Sequence, residues 1–125
     1  MCGIVGIVGG AIASDERESL ARRMAATLAH RGPDGAGAMA AGHCAFGFQR
    51  LAIIDLDSPC PPFANEDRSV WSVANAEIYN SGPLRAALED RGHTLRTDVD
   101  TEVIPHLWEE HGVDLLERLN GMFAF

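Results

Sequence analysis

The apolar run Ile4, Val5, Ile7 and Val8 begins almost at the first residue and is closed by Gly9-Gly10. Continuous apolar content over so short a stretch reads as a strand buried on both faces. Whatever this chain folds into must therefore be built around its leading segment. Ser14-Asp15 then precede Leu20, Met24 and Leu28, which recur every four residues on one helical face. Asp15 with Glu18 has the spacing of a capping box, so the pattern predicts a helix with those three side chains inward. His30-Arg31 would place positive charge in its last turn, and Gly32-Pro33 would stop it. Asp34 to Gly42 is mostly Gly and Ala and reads as a loop.

Cys44, Phe46 and Phe48 alternate with small or polar residues, and Leu51 to Ile54 is apolar again, which predicts two strand segments with Arg50 between them. Ser58 to Pro62 reads as a proline-rich loop, Asn65-Glu66-Asp67 as a polar turn, and Val70 to Ala74 as a strand ending at Asn75. Pro83 suits the first residue of a helix carrying Leu84, Ala87 and Leu88 and stopped by Gly92. Thr94 to Thr97 is weakly strand-like. Asp100 or Thr101 would cap a helix holding Val103, Ile104, Leu107 and Trp108, with Pro105 early in it. A short helix through Leu115, Leu116 and Leu119 would end at Asn120-Gly121, and Met122 to Phe125 would open a strand.

At 125 residues, 46% hydrophobic and 22% charged, the chain predicts one globular domain over residues 1–125. Its net charge of −8 repels phosphates and anionic lipid, which argues against nucleic acid and membrane surfaces as partners. No apolar run approaches the roughly 20 residues that cross a bilayer, and no secretory pattern opens the chain. Cys2, Cys44 and Cys60 are an odd count without metal-like spacing, which predicts reduced thiols and a cytoplasmic location. The five histidines show no metal-ligand pattern, and His106 with His111 reads as a partly exposed helix edge.

Four groups of residues could carry chemistry. If Met1 is removed, Cys2 holds a thiol and a free α-amine on one residue. Those groups titrate near about 8.5 and about 7.7–8.0, so the amine can take the thiol's proton at little cost. Nucleophile and general base would then be supplied together. Taken alone, Cys2 reads more simply as a small buried hydrophobe at a strand start. Asn75-Ala76 follows a strand: the Asn75 amide beside the N–H of Ala76 could hold the oxyanion formed when a carboxamide is attacked, although an Asn-rich turn is the plainer reading. Arg50 could grip an α-carboxylate, while Glu77 and Asp100 could accept from an α-ammonium. Singly, each reads as a surface charge. His30-Arg31-Gly32-Pro33-Asp34 reads as a helix stop in which Arg31 and Asp34 pin the turn.

Together these pieces resemble a family. Met1-Cys2-Gly3-Ile4-Val5-Gly6, His30-Arg31-Gly32-Pro33-Asp34 and Arg50-Leu51-Ala52-Ile53-Ile54-Asp55-Leu56 are similar to the class II glutamine amidotransferase domain. Asn65-Glu66-Asp67, Asn75 to Asn80, Asp100-Thr101-Glu102-Val103 and Leu119 to Phe125 resemble, more narrowly, the N-terminal glutaminase part of glutamine-hydrolysing asparagine synthetases. The resemblance implies an α+β fold, the four-layer αββα sandwich of N-terminal-nucleophile hydrolases. Here it would be truncated at the C-terminal strands, because the family's domain continues beyond the position of Phe125. It implies catalysis by Cys2, Asn75 and Ala76, and binding of L-glutamine by Arg50, Glu77 and Asp100, with no metal.

Ammonia released through a Cys2 thioester would pass to a synthetase domain or subunit. No cofactor is expected in this segment; ATP and magnesium would serve only that synthetase. Three departures stand out. Ala76 replaces the usual Gly, where a positive φ would strain it by about 1 kcal/mol or more. Pro59-Cys60-Pro61-Pro62 replaces a stretch that usually carries Gln, and Phe48-Gln49 replaces a more basic pair. An inactive remnant or binding module, and an amidotransferase serving another acceptor, are the alternative readings.

Overall fold

The computed structural model describes residues 2–52 and 60–125 of the chain. The chain divides into two compact units, residues 1–53 with 60–62 and residues 54–59 with 63–125.

In the first unit, β1 (Gly3–Val8), β2 (Gly35–Ala41) and β3 (Cys44–Arg50) form an antiparallel sheet in the order β1-β3-β2. β1 pairs Gly3 with Gln49 through Val8 with Cys44, and β2 pairs Gly35 with Arg50 through Ala41 with Cys44. The leading apolar run is thus a strand as expected, but not one buried on both faces. It lies at a sheet edge and its Val8 is 79% exposed, as an antiparallel edge strand permits.

Helix α1 (Ser14–Ala26) has the expected period and a different phase. Its buried residues are Arg17, Ala21 and Ala25, whereas Met24 is exposed, and its N-terminus carries no side-chain cap. Close approach explains the phase. A Cβ placed on Gly47 of β3 would stand 2.5 Å from the Ala21 carbonyl oxygen and 3.0 Å from the Ala25 Cβ. Only small side chains fit where helix and sheet come that near, so Met24 is turned away, while Leu20 and Leu28 are half-buried, Leu28 against Gly3 of β1. Beyond Thr27 the chain makes a 3-10 turn over Ala29–Arg31 before Gly32.

The Gly/Ala stretch expected as a loop is instead β2. Gly and Ala have low strand propensity, so the ladder to β3 decides its state. Arg50 is the last residue of β3 rather than a break between strands, and Leu51-Ala52 carry no regular structure. Ile53, Ile54, Asp55, Leu56, Ser58 and Pro59 lie outside the described residues.

Arg17 ties this unit together. Its guanidinium donates to the carbonyls of Gly42 at 2.9 Å, Gly10 at 3.2 Å and Ile12 at 2.8 Å, so one buried side chain ties the loop after β1 to the β2–β3 turn at one end of the sheet. Arg17→Leu preserves bulk and orphans three carbonyls. It is expected to lower stability by about 2–3 kcal/mol, read as a reduced urea midpoint.

In the second unit, β4 (Phe63–Ala64) pairs with β5 (Trp71–Ser72), and β6 (Asn75–Ile78) pairs with β7 (Gly121–Ala124), both antiparallel. The strand expected over Val70 to Ala74 is therefore split. Only Trp71–Ser72 of it is extended ladder, and a new strand begins at Asn75, where the pattern had placed an end. Helix α2 (Ser81–Glu89) takes Pro83 as its third residue, and α3 (Val103–His111) follows a 3-10 turn at Asp100–Glu102. A further 3-10 stretch, Gly112–Glu117, carries the fully buried Leu115.

The core joins Ala74, Leu88, Val103, Ile104, Leu107 and Leu115, with Ala76, Leu84, Leu95 and Leu119 packed against it. Trp108 and Leu116, expected inside, are exposed, whereas His106, expected on a helix edge, is 1% exposed. Thr94 to Thr97 forms no strand. Its N–H groups bond to carboxylates: Thr94 to Glu66 at 2.6 Å, and Arg96 and Thr97 each to Glu102 at 2.7 Å. Side-chain acceptors stand where a neighbouring strand would otherwise be needed. Among the described residues no helix is long and apolar enough to cross a membrane.

Burial holds the His106 pKa below 6.5, with His93 acting the same way and Glu66 and Glu102 opposing. Folded His106 therefore binds a proton less readily than the unfolded chain does. Stability is unaffected well above pH 6.5 and falls as the pH drops below it, by at most about 1.4 kcal/mol per pH unit for one proton. Glu66 and Glu110, held below 4.5, add losses in the same direction at still lower pH. Desolvation raises the Glu66 pKa but backbone N–H groups and the two histidines outweigh it; at Glu110, hydrogen bonds from His93 and Arg91 dominate. Melting temperature should hold near pH 7.5 and fall as the pH drops from about 6.5 to 5.5; a flat profile over that lower range would contradict this.

Candidate active site

Cys2 stands immediately before β1. The Gly3–Gln49 pairing, continued by one residue, sets Cys2 beside Arg50 at the same end of the sheet. Arg50 is 6% exposed and pairs across its other side with Gly35. The Cys2 sulfur accepts the N–H of Leu51 at 3.4 Å and lies 3.7 Å from the Leu51 carbonyl oxygen. The residue after Arg50 thus holds the sulfur directly.

The His30–Asp34 segment does more than stop a helix. Arg31 donates from Nε to the Cys2 carbonyl at 3.2 Å, fixing the backbone of the candidate nucleophile. The Asp34 N–H donates to the Arg50 carbonyl at 2.9 Å, while Asp34 Oδ2 accepts the N–H of Ala52 at 2.9 Å. One motif thereby braces both Cys2 and the chain on either side of Leu51.

Cys60 is a neighbour that sequence reasoning left in a loop. Its thiol is hydrogen-bonded to Arg50 and senses Cys2. Burial pushes its pKa above 9.0, and the Arg50 guanidinium only partly offsets this. The proline-flanked position of Cys60 gave no signal of this placement, because the approach to Arg50 is set by tertiary packing alone. Cys2, Cys44 and Cys60 are not joined to one another by disulfides.

Asn75, Ala76, Glu77 and Asp100 belong to the second unit. Asn75, Ala76 and Glu77 open β6, paired with Ala124, Phe123 and Met122. Strand alternation puts Asn75 and Glu77 on one face, and Ala76 and Ile78 on the other, toward the core. Ala76 needs no left-handed backbone: among the described non-glycine residues only Arg68 has a positive φ. Replacing glycine by alanine here therefore carries no conformational penalty. The one strained approach in this ribbon is at Gly121, where φ is +155° and a side chain would collide with the Glu77 carbonyl.

Asp100 caps no helix. Its Oδ2 accepts the N–H of Ile78 at 2.6 Å, so the carboxylate is anchored to the strand that carries Asn75 and Glu77. The structure thus joins Cys2 with Arg50 in one unit, and Asn75, Ala76 and Glu77 with Asp100 in the other.

Comparison with known proteins matches the glutamine amidotransferase domain family along residues 1–125. The chain is 45% identical over 125 residues to an asparagine synthetase (glutamine-hydrolyzing) of Asparagus officinalis, covering all of this chain and 21% of that protein. It is 39% identical over 127 residues to asparagine synthetase (glutamine-hydrolyzing) 1 of Bacillus subtilis strain 168, again over its whole length and 20% of the relative. The chain therefore spans about a fifth of the length of these relatives. Among solved structures, the glutamine phosphoribosylpyrophosphate amidotransferase of B. subtilis superposes with a TM-score of 0.67 at 22% identity, covering 97% of this chain and 34% of that one. That likeness shows that the chain shares the α+β fold of that protein. With a family match from first residue to last, this chain belongs to the glutamine amidotransferase domain family.

Proposed function

We propose that the chain hydrolyses L-glutamine to glutamate and ammonia, and that the ammonia serves ATP-dependent asparagine synthesis by a synthetase domain or subunit. The observation that carries the reading is the position of Cys2, held by the Leu51 N–H beside Arg50 at the head of a sheet. Removal of Met1 frees the Cys2 α-amine. That amine takes the thiol proton as Sγ attacks the carboxamide carbon, and it returns a proton to the departing nitrogen, so ammonia leaves and a thioester remains. Water then attacks the thioester, releasing glutamate and restoring the thiol. Arg50 is suited to the substrate α-carboxylate, Glu77 and Asp100 to its α-ammonium, and Asn75 with the Ala76 N–H to the developing oxyanion.

None of these steps uses a cofactor; ATP and magnesium would act where the ammonia is consumed. The 39–45% identity to asparagine synthetases supports asparagine as the product of the whole system. Three cysteines without disulfides between them are in keeping with a cytoplasmic setting. An electrophilic glutamine analogue should label Cys2 alone, and the mass of the labelled N-terminal peptide should show Met1 removed. Labelling at Cys60 or Cys44 with Cys2 untouched, or a retained Met1, would refute the mechanism.

A further inference from the structure

A second cluster lies within the second unit. Glu66 in the turn after β4, His93 after α2 and His106 on α3 come from three separate elements and converge side chain to side chain. We propose that Glu66, His93 and His106 form a binding site for a divalent transition-metal ion of the zinc class.

The spacing carries the argument. His106 Nδ1 is 3.4 Å from His93 Nδ1 and 3.3 Å from Glu66 Oε2, and His93 Nδ1 is 3.5 Å from the same oxygen. These three edges are longer than the about 2.7–3.2 Å of good hydrogen bonds to nitrogen, although His93 Nδ1 also lies 3.2 Å from Glu66 Oε1. Ligands bound at about 2.0–2.1 Å to a tetrahedral zinc stand about 3.3 Å apart, so the triangle has the size of one face of that tetrahedron. Two imidazoles and one carboxylate also match the ligand preference of zinc, and not the all-oxygen preference of magnesium or calcium.

The surroundings hold each ligand in place. Glu66 Oε1 accepts the Thr94 N–H at 2.6 Å and lies 3.2 Å from His93 Nδ1, which turns Oε2 toward His106. His93 directs its other nitrogen, Nε2, at Glu110 Oε1, 3.2 Å away, and Glu110 is paired in turn with Arg91. A carboxylate behind a ligating histidine fixes its tautomer and raises its basicity. His106 is buried, and its Nε2 has no hydrogen-bond partner among the described residues. A doubly protonated ring would leave a charged N–H unsatisfied there; the neutral ring ligates through Nδ1 with its remaining proton on Nε2, an uncharged N–H that costs less to bury. Glu66 is the most exposed of the three, with 37% of its side chain open, leaving a path for the ion and a water as fourth ligand.

The proposal is independent of glutamine hydrolysis and is read without it. The chain is stripped with chelator, its thiols are blocked by alkylation so that cysteines cannot compete, and zinc is titrated calorimetrically. One zinc per chain is expected, with binding lost in Glu66→Gln and His93→Asn and weakened about 10–100-fold in Glu110→Gln. Cobalt added to the unmutated, alkylated chain should show the visible bands of a four-coordinate nitrogen–oxygen site without thiolate charge transfer; this guards against misfolding of the variants. Absence of zinc binding, absence of that cobalt spectrum, or unchanged affinity in both Glu66→Gln and His93→Asn would overturn the assignment.

Discussion

Cys2→Ala is expected to lower the rate of ammonia release from glutamine by about 10⁴-fold or more, the scale on which a nucleophile's loss removes covalent catalysis. No other thiol can substitute. Cys60 lies close to Arg50 and Cys2, but burial holds its thiol protonated and it carries no free α-amine. Cys2→Ser keeps the amine and the shape of the side chain while replacing thiolate by a far weaker nucleophile, so it too should be nearly inactive. Because Cys2 precedes the ladder and its backbone is held by Arg31, folding should be untouched, with an unchanged melting temperature. Full activity in Cys2→Ala would remove the proposed mechanism altogether.

Asn75→Ala should cost about 10²–10³-fold in kcat with little change in KM. An oxyanion donor contributes in the transition state and not in the ground state. Asn75 opens β6 opposite Ala124, and its neighbour Ala76 is packed on the core, so the strand should survive the loss of one side-chain amide. A variant with raised KM and unaltered kcat would move Asn75 from oxyanion stabilisation to substrate binding. Preservation of both constants would remove it from the site.

The contrast between Asn75 and Asp100 shows how the two kinds of information divide. Asn75, Glu77 and Asp100 were legible as a group because their chemical types suit an amino-acid substrate. That Asp100 reaches β6 by accepting the Ile78 N–H was not legible, since the two residues are joined only by folding. The same holds for Arg31 and Asp34. They were readable as pins of a turn, but what they pin is Cys2 and the backbone around Leu51. Cys60 and the Glu66–His93–His106 cluster escaped the pattern entirely. Their members are spread over separate elements, and spacing along the chain carries no record of such convergence.

Period was readable in α1 and phase was not, because both Arg17-Ala21-Ala25 and Leu20-Met24-Leu28 recur every four residues. Hydrophobicity favours the second set. The close approach of helix to sheet at Gly47 admits only the first, and steric exclusion outweighs the transfer free energy of one methionine.

By itself the order of residues determined the family, through motifs that resemble it in register, and the nucleophile candidate, the helices and the strands that alternate clearly, which rest on local side-chain chemistry and short-range periodicity. Tertiary structure alone decided that Gly35–Ala41 is a strand, that the stretch after His93 is bonded to carboxylates instead of a sheet, and which side of each element is inside. The physical reason is common to all three. Backbone donors and small side chains carry little preference of their own, and they take the state that distant partners allow.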